Sequence, residues 1–185
     1  YNFPDAVKEL AQRAGIKITE SNYGKNSQID KIYKIHEVST NWFQKNLLKS
    51  EDCQKYLDNR LISQNTINVF RIGYSSNKQS TLYEYLKSQN FNDEDIFKSN
   101  LVKKDDNNKI RDFFYKRLIF PIANEQNKII GFGGRVLNNS NPKYINSPES
   151  FFFKKRNILY NLNNAKNIVR KKNNILLCEG YMDVI

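Results

Sequence analysis

Two apolar runs, "RLIFPI" at 117–122 and "KIIGFGGRV" at 128–136, stand on either side of a polar "ANEQN". Short runs rich in Ile, Phe and Val, joined by a few polar residues, read as the two strands of a hairpin. This pair constrains the chain most, because it asks for a strand-rich region after a stretch that reads as helices. Everything N-terminal to it has a different periodicity.

"FPDAVKELAQRAG" sets Ala6, Val7, Leu10, Ala11 and Ala14 at helical spacing, with Pro4 in the first turn and Gly15 as the stop. Residues 19–28, "TESNYGKNSQ", are polar and read as a linker. From Ile29 to Leu48 the apolar positions suit a second helix. His36, the only histidine, falls on or near that helix's face with no matching acid or nucleophile nearby, which favours a structural role. Ser50, Ser63, Ser80 and Asn92 each precede a helical stretch and are expected to cap it. "RIGYS" at 71–75 interrupts the pattern, residues 159–172 read as helix, and "NILLCE" at 174–179 reads as a short buried strand. The expected class is α+β: a helical N-terminal part, then a mixed, strand-rich basic subdomain, ending in the first strand of a further α/β unit.

No apolar run approaches the roughly 18 residues a membrane-spanning helix needs, and the N-terminus lacks a signal-peptide layout. A cytoplasmic protein is therefore expected. Cys53 and Cys178 stand too far apart to suggest a metal-ligand spacing or a disulfide framework. The net charge of +11 is unevenly spread: residues 111–178 carry 13 Lys and Arg against 3 Asp and Glu. A basic segment running into the acids Glu179 and Asp183 suggests a polyanion held beside a metal. Lysine that merely solvates a surface is the competing reading.

The candidate chemistry lies in that segment. Gly131, Gly133 and Gly134 permit close backbone approach, Arg135 follows them, and Lys143 with Tyr144 comes after a polar loop. Either this strand brings cations to phosphates, or it is a bulged hairpin with solvated charges; it is not a nucleotide-binding GxxxxGK[ST] loop. "FFFKKRN" adds Lys154, Lys155 and Arg156 beside three phenylalanines, which could stack bases or could belong to the core. Glu179 at the end of an apolar strand and Asp183 at the start of a helix could share one crevice and hold Mg²⁺.

Taken in order, "RLIFPI…IIGFGGRV…NPKYINSPES…FFFKKRNILYNL…CEGYMD" closely resembles the RNA polymerase core of bacterial DnaG-type primases. "FPDAVKELAQRAGI" resembles the segment after that family's zinc module, and "YLDNRLIS…VFRIGYS" its first helical stretch. The resemblance implies DNA-templated synthesis of short RNA primers at the bacterial replication fork. It divides the chain into a segment and linker at 1–28, an N-terminal core subdomain at 29–172, and the start of a toprim unit at 173–185. By motif, Glu179 matches the toprim glutamate, a metal ligand or general acid/base, and Asp183 the acid that follows it. Arg60, Arg135, Lys143 and Lys155 match basic positions that contact nucleic acid or nucleotide. The implied cofactor is Mg²⁺ or Mn²⁺, with Zn²⁺ confined to a module outside this sequence. The implied partners are single-stranded DNA, nucleoside triphosphates, the RNA primer and a replicative helicase. The rest of the toprim metal site would lie beyond Ile185, so these 185 residues alone are not expected to polymerise. Two departures stand out: Leu61 follows Arg60 where the family has glycine, and Asn161 replaces the glycine of "LYGL".

Two other classes remain open at this stage. One is a basic single-strand-binding module without chemistry; the other is a different toprim protein, such as a topoisomerase or nuclease. "CEGYMD" alone admits the latter, while "GFGGRV…PKYINSPE" argues against it.

Overall fold

A computed structural model describes residues 3–15, 20–75, 78, 80–138 and 140–185. The chain divides into two compact units, Tyr1–Lys31 and Ile32–Ile185. In the first, α1 (Phe3–Arg13) ends as the sequence pattern requires, with Gly15 at φ +67°. Helix α2 runs Glu20–Leu48. Of the stretch read as linker, Thr19 lies outside the described residues and the remainder is helical. Polar composition did not prevent this, because helix is propagated cheaply from an established neighbouring turn.

The second unit is built on a four-stranded antiparallel sheet, β1 (Gly73–Tyr74), β4 (Arg117–Ala123), β5 (Ile129–Val136) and β6 (Tyr144–Asn146), in that spatial order. A separate ribbon pairs β2 (Val102–Lys104) with β3 (Ile110–Asp112). Helices α3 (Glu51–Asp58), α4 (Gln64–Phe70), α5 (Thr81–Ser88) and α6 (Asp93–Lys98) precede the sheet's centre, and α7 (Leu162–Lys172) and α8 (Tyr181–Val184) follow it. The β4–β5 hairpin forms where "ANEQN" placed it. Asn124 Oδ1 accepts from the Gln126 and Lys128 amides at 3.0 and 2.9 Å, and Asn127 takes the left-handed conformation.

The caps follow the sequence at Ser50, Ser63 and Asn92, whose side chains accept from the amides of Cys53, Thr66 and Asp95. At Ser80 they do not. That residue sits at φ +61° with its hydroxyl donating to the Ile110 carbonyl. The buried carboxylate of Asp112 on β3 instead accepts from the Leu82 and Tyr83 amides at 2.9 and 3.1 Å. A cap supplied from another element has no local sequence signature.

Both faces of the central strands are covered. Ile119 and Phe132 face a core that includes Ile35, Phe43, Leu86, Ile96 and Phe114. Leu118 and Phe120 face the other way, onto Leu47, Cys53, Leu57 and Ile72. This two-sided burial explains why β4 and β5 read as unbroken apolar runs rather than alternating ones. Of the three phenylalanines, Phe153 is buried, Phe152 packs edge-on to His36, and Phe151 is exposed. The core reading therefore holds for two of them.

His36 is buried, with its ring nitrogens 3.0 Å from the carbonyls of Ile129 and Ser99. Burial holds its pKa below the ordinary 6.5; the two carbonyls favour the protonated ring but only partly offset this. The unfolded chain thus takes up the proton first. The stability this neutral ring contributes is complete above pH 6.5 and is lost as pH falls through the lowered folded value. Urea unfolding at pH 7.5 and 5.0 should show this drop, and His36→Gln should flatten it.

The run 174–179 differs from expectation: it pairs with no described strand, and Ile175, Leu176 and Leu177 are exposed. An apolar segment becomes a strand only when a neighbour completes its ladder, and no described strand lies beside this one.

Candidate functional site

Register decides what faces the site. In β5, residues 131, 133 and 135 share one side of the sheet. Cross-strand pairs continue that side through Gly133↔Asn146 and Arg135↔Tyr144. The glycines do not hold the backbone against a ligand. Each leaves space for an aromatic ring: a Cβ at Gly131 would lie 2.9 Å from the Phe153 ring, and one at Gly133 2.4 Å from the Tyr181 ring.

Above this face lies a cleft of about 780 Å³. Arg60, Arg135, Lys143, Tyr144, Lys155, Glu179 and Asp183 all line it, although they span 124 positions of sequence from first to last. Lys154 and Arg156, the other two residues of the basic triplet, are exposed and stand outside it.

Each cation is set by its element. Arg60 follows α3, where the next residue, Leu61, adopts φ +57° and preserves the turn despite its side chain. Arg135 is buried; its guanidinium carbon lies 5.5 Å from the Tyr56 ring centroid and 5.1 Å from that of Tyr144, to whose hydroxyl it donates. Arg60 lies 5.3 Å from the same Tyr56 ring, so one tyrosine carries both arginines. Arg135 Nε has no hydrogen-bond partner among the described residues. The Lys143 loop is held from behind by Arg117, whose Nη1 donates to the Pro142 carbonyl at 3.0 Å. Lys155 opens a 3₁₀ turn, Lys155–Asn157, with its amide donating to Glu149 Oε1 at 2.9 Å.

Tyr56, Arg117, Asn146 and Tyr181 were not singled out by sequence reasoning. Tyr56 and Arg60 stand four apart at the end of a helix, a spacing that could have paired them. Arg117 and Asn146 carry no local signal, because their partners come from other elements.

Glu179 does not end a buried strand; it stands in the exposed segment before α8. Asp183 turns back toward Gly180, where a Cβ would meet its Oδ2 at 2.8 Å, so only glycine leaves that carboxylate its place. These two oxygen-donor side chains suit a hard divalent cation. No group of three or more His, Cys, Asp and Glu side chains placed to hold a metal occurs among the described residues. Tyr181, between them, is pushed up to about 12 by burial and by Tyr144, and burial raises Tyr160 as well.

Known proteins resemble this chain in sequence and fold. Residues 42–166 match the family described as DNA primase catalytic core, N-terminal domain. A DNA primase of Clostridium acetobutylicum is 37% identical over 193 residues, covering 100% of this chain and 31% of that protein. The Aquifex aeolicus primase structure, comprising zinc-binding and RNA polymerase domains, superposes with a TM-score of 0.79 at 31% identity, over 97% of this chain and 43% of that one. A DnaG primase catalytic domain bound to single-stranded DNA gives 0.77 at 32% identity, over 86% and 52%. The chain spans about a third of the length of the curated relatives it matches. With the family match extending over most of the sheet unit, the chain belongs to the DnaG-type DNA primases and carries the N-terminal domain of their catalytic core.

Proposed function

We propose that this chain serves DNA-templated synthesis of RNA primers, with the cleft as the place where template and nucleotide phosphates meet the catalytic acids. The observation that carries the reading is the gathering of four cations and two carboxylates in one cleft from five separate parts of the sequence. Residues 29–172 are assigned to the nucleic-acid-handling subdomain and 173–185 to the toprim unit, with 1–28 leading from a zinc-binding module such as the Aquifex structure includes.

Arg60, Arg135, Lys143 and Lys155 neutralise phosphate charge, and Tyr144 offers a ring beside them for a base. Lys154 and Arg156 extend the positive surface outside the cleft. Glu179 and Asp183 hold a divalent ion, Mg²⁺ or Mn²⁺. That ion supplies Lewis-acid stabilisation of charge on the reacting phosphate. Arg135 is preorganised: packed between two tyrosines, it need not be desolvated or reoriented when phosphate arrives. The whole enzyme also requires nucleoside triphosphates and a replicative helicase, and acts in the bacterial cytoplasm. No described helix is long and apolar enough to cross a membrane.

Fluorescence anisotropy with a labelled single-stranded oligonucleotide tests the basic wall. Each of Arg135→Ala and Lys143→Ala should weaken binding and reduce the log–log salt slope by about 0.7, one phosphate contact's worth on a single strand. Unchanged affinity and slope in both variants would sink the assignment.

A further inference from the structure

Tyr181 stands two residues after Glu179 and two before Asp183. Residues 174–179, which lead to Glu179, are exposed and have no described strand beside them. The Tyr181 ring is held closely. It lies flat over Phe120 at 5.4 Å and 11°, meets Tyr160 edge-on at 4.8 Å, and covers Gly133. Its hydroxyl donates to Asn146 Oδ1 at 2.6 Å. Gly133 and Asn146 are cross-strand partners, so the seat and the hook belong to one rung of the sheet. Arg135 and Tyr144 form another rung on the same side, two residues along, which is roughly 7 Å at the usual rise of a strand.

We propose that Tyr181 is a positioning residue: docked on Gly133 and tied to Asn146, it holds Glu179 and Asp183 at a set distance from the Arg135 wall. The inference rests on the reading that these acids bind a divalent ion. Core filling does not account for the geometry. A phenylalanine would cover Gly133 and stack on Phe120 equally well, whereas the bond to Asn146 additionally fixes the ring along the rung. The device also explains why "GFGG", "KYIN" and "EGYMD" occur together: the first provides the seat, the second the hook, the third the ring and both acids.

The test is Mn²⁺ alone, titrated into the 185-residue chain and followed by electron paramagnetic resonance, with urea midpoints measured in parallel. Tyr181→Phe keeps the ring and folds even if Tyr181→Leu does not. Tyr181→Phe and Asn146→Ala should each weaken Mn²⁺ binding about tenfold, the usual scale for a group that orients a metal ligand. Together they should weaken it no further, since both remove one bond. Gly133→Ala, whose Cβ would come within 2.4 Å of the ring and displace it, should do the same. In a primase carrying these residues, Tyr181→Phe should lower kcat and leave KM for template unchanged. If Glu179→Gln abolishes Mn²⁺ binding while Tyr181→Phe stays within twofold of the parent, the positioning role is overturned and the metal reading stands. If Glu179→Gln leaves Mn²⁺ affinity unchanged, both fall.

Discussion

Glu179→Gln, placed in a primase carrying this sequence, should lower primer synthesis by about 10²–10³-fold, the scale of removing one group that stabilises developing charge. Glutamine keeps the shape and one hydrogen-bonding oxygen but removes the charge that a divalent ion requires. Single-stranded DNA affinity should stay within about twofold, because the proposed phosphate contacts are Arg60, Arg135, Lys143 and Lys155, which line the same cleft. Synthesis assays over a Mg²⁺ titration, with anisotropy measured on the same variant, separate the two effects. Synthesis within fivefold of the parent would remove Glu179 from the chemistry.

Phe132→Ala should cost about 3–5 kcal/mol of folding stability, a large share of the roughly 5–15 kcal/mol a domain possesses. The ring is fully buried and meets His36 at 5.2 Å, Phe43 at 5.6 Å and Phe114 at 6.2 Å, each edge-on. The upper part of that range is expected, because Phe132 is flanked by Gly131, Gly133 and Gly134. Those neighbours have no side chains to shift into the space. Phe151→Ala, which removes an exposed ring, should change stability by no more than about 0.5 kcal/mol. Urea unfolding of both variants checks the contrast; equal midpoints would mean that Phe132 does not anchor the core.

The hairpin and most helices were legible because their signals are local. Asn124 and Asn127 specify the turn, and Ser50, Ser63 and Asn92 cap within three residues of themselves. Failures came where the partner is distant in sequence. The α5 cap belongs to Asp112, thirty positions on, and Ser80 faces elsewhere. The expected strand at 174–179 has the composition of a strand and no described strand beside it. Polar residues 20–28 are helical, as part of a helix that runs on to Leu48.

The candidate site shows the same division. The acids, the basic residues and the glycine run are all recognisable in order along the chain, since each requires only a residue type at a spacing. Sequence by itself therefore determined which residues belong to this family's core and which chemistry they suit. What those residues do for one another was decided by the tertiary structure. The pleat and register of β5 and β6 turn Gly133, Arg135, Tyr144 and Asn146 to one side. Only that shared side makes Gly133 a seat for Tyr181 and lets Tyr56 carry two arginines. A one-residue slip of β5 against its neighbours would turn positions 133 and 135 to the opposite face from Tyr144 and Asn146, so the site depends on the sheet's register rather than on any motif alone.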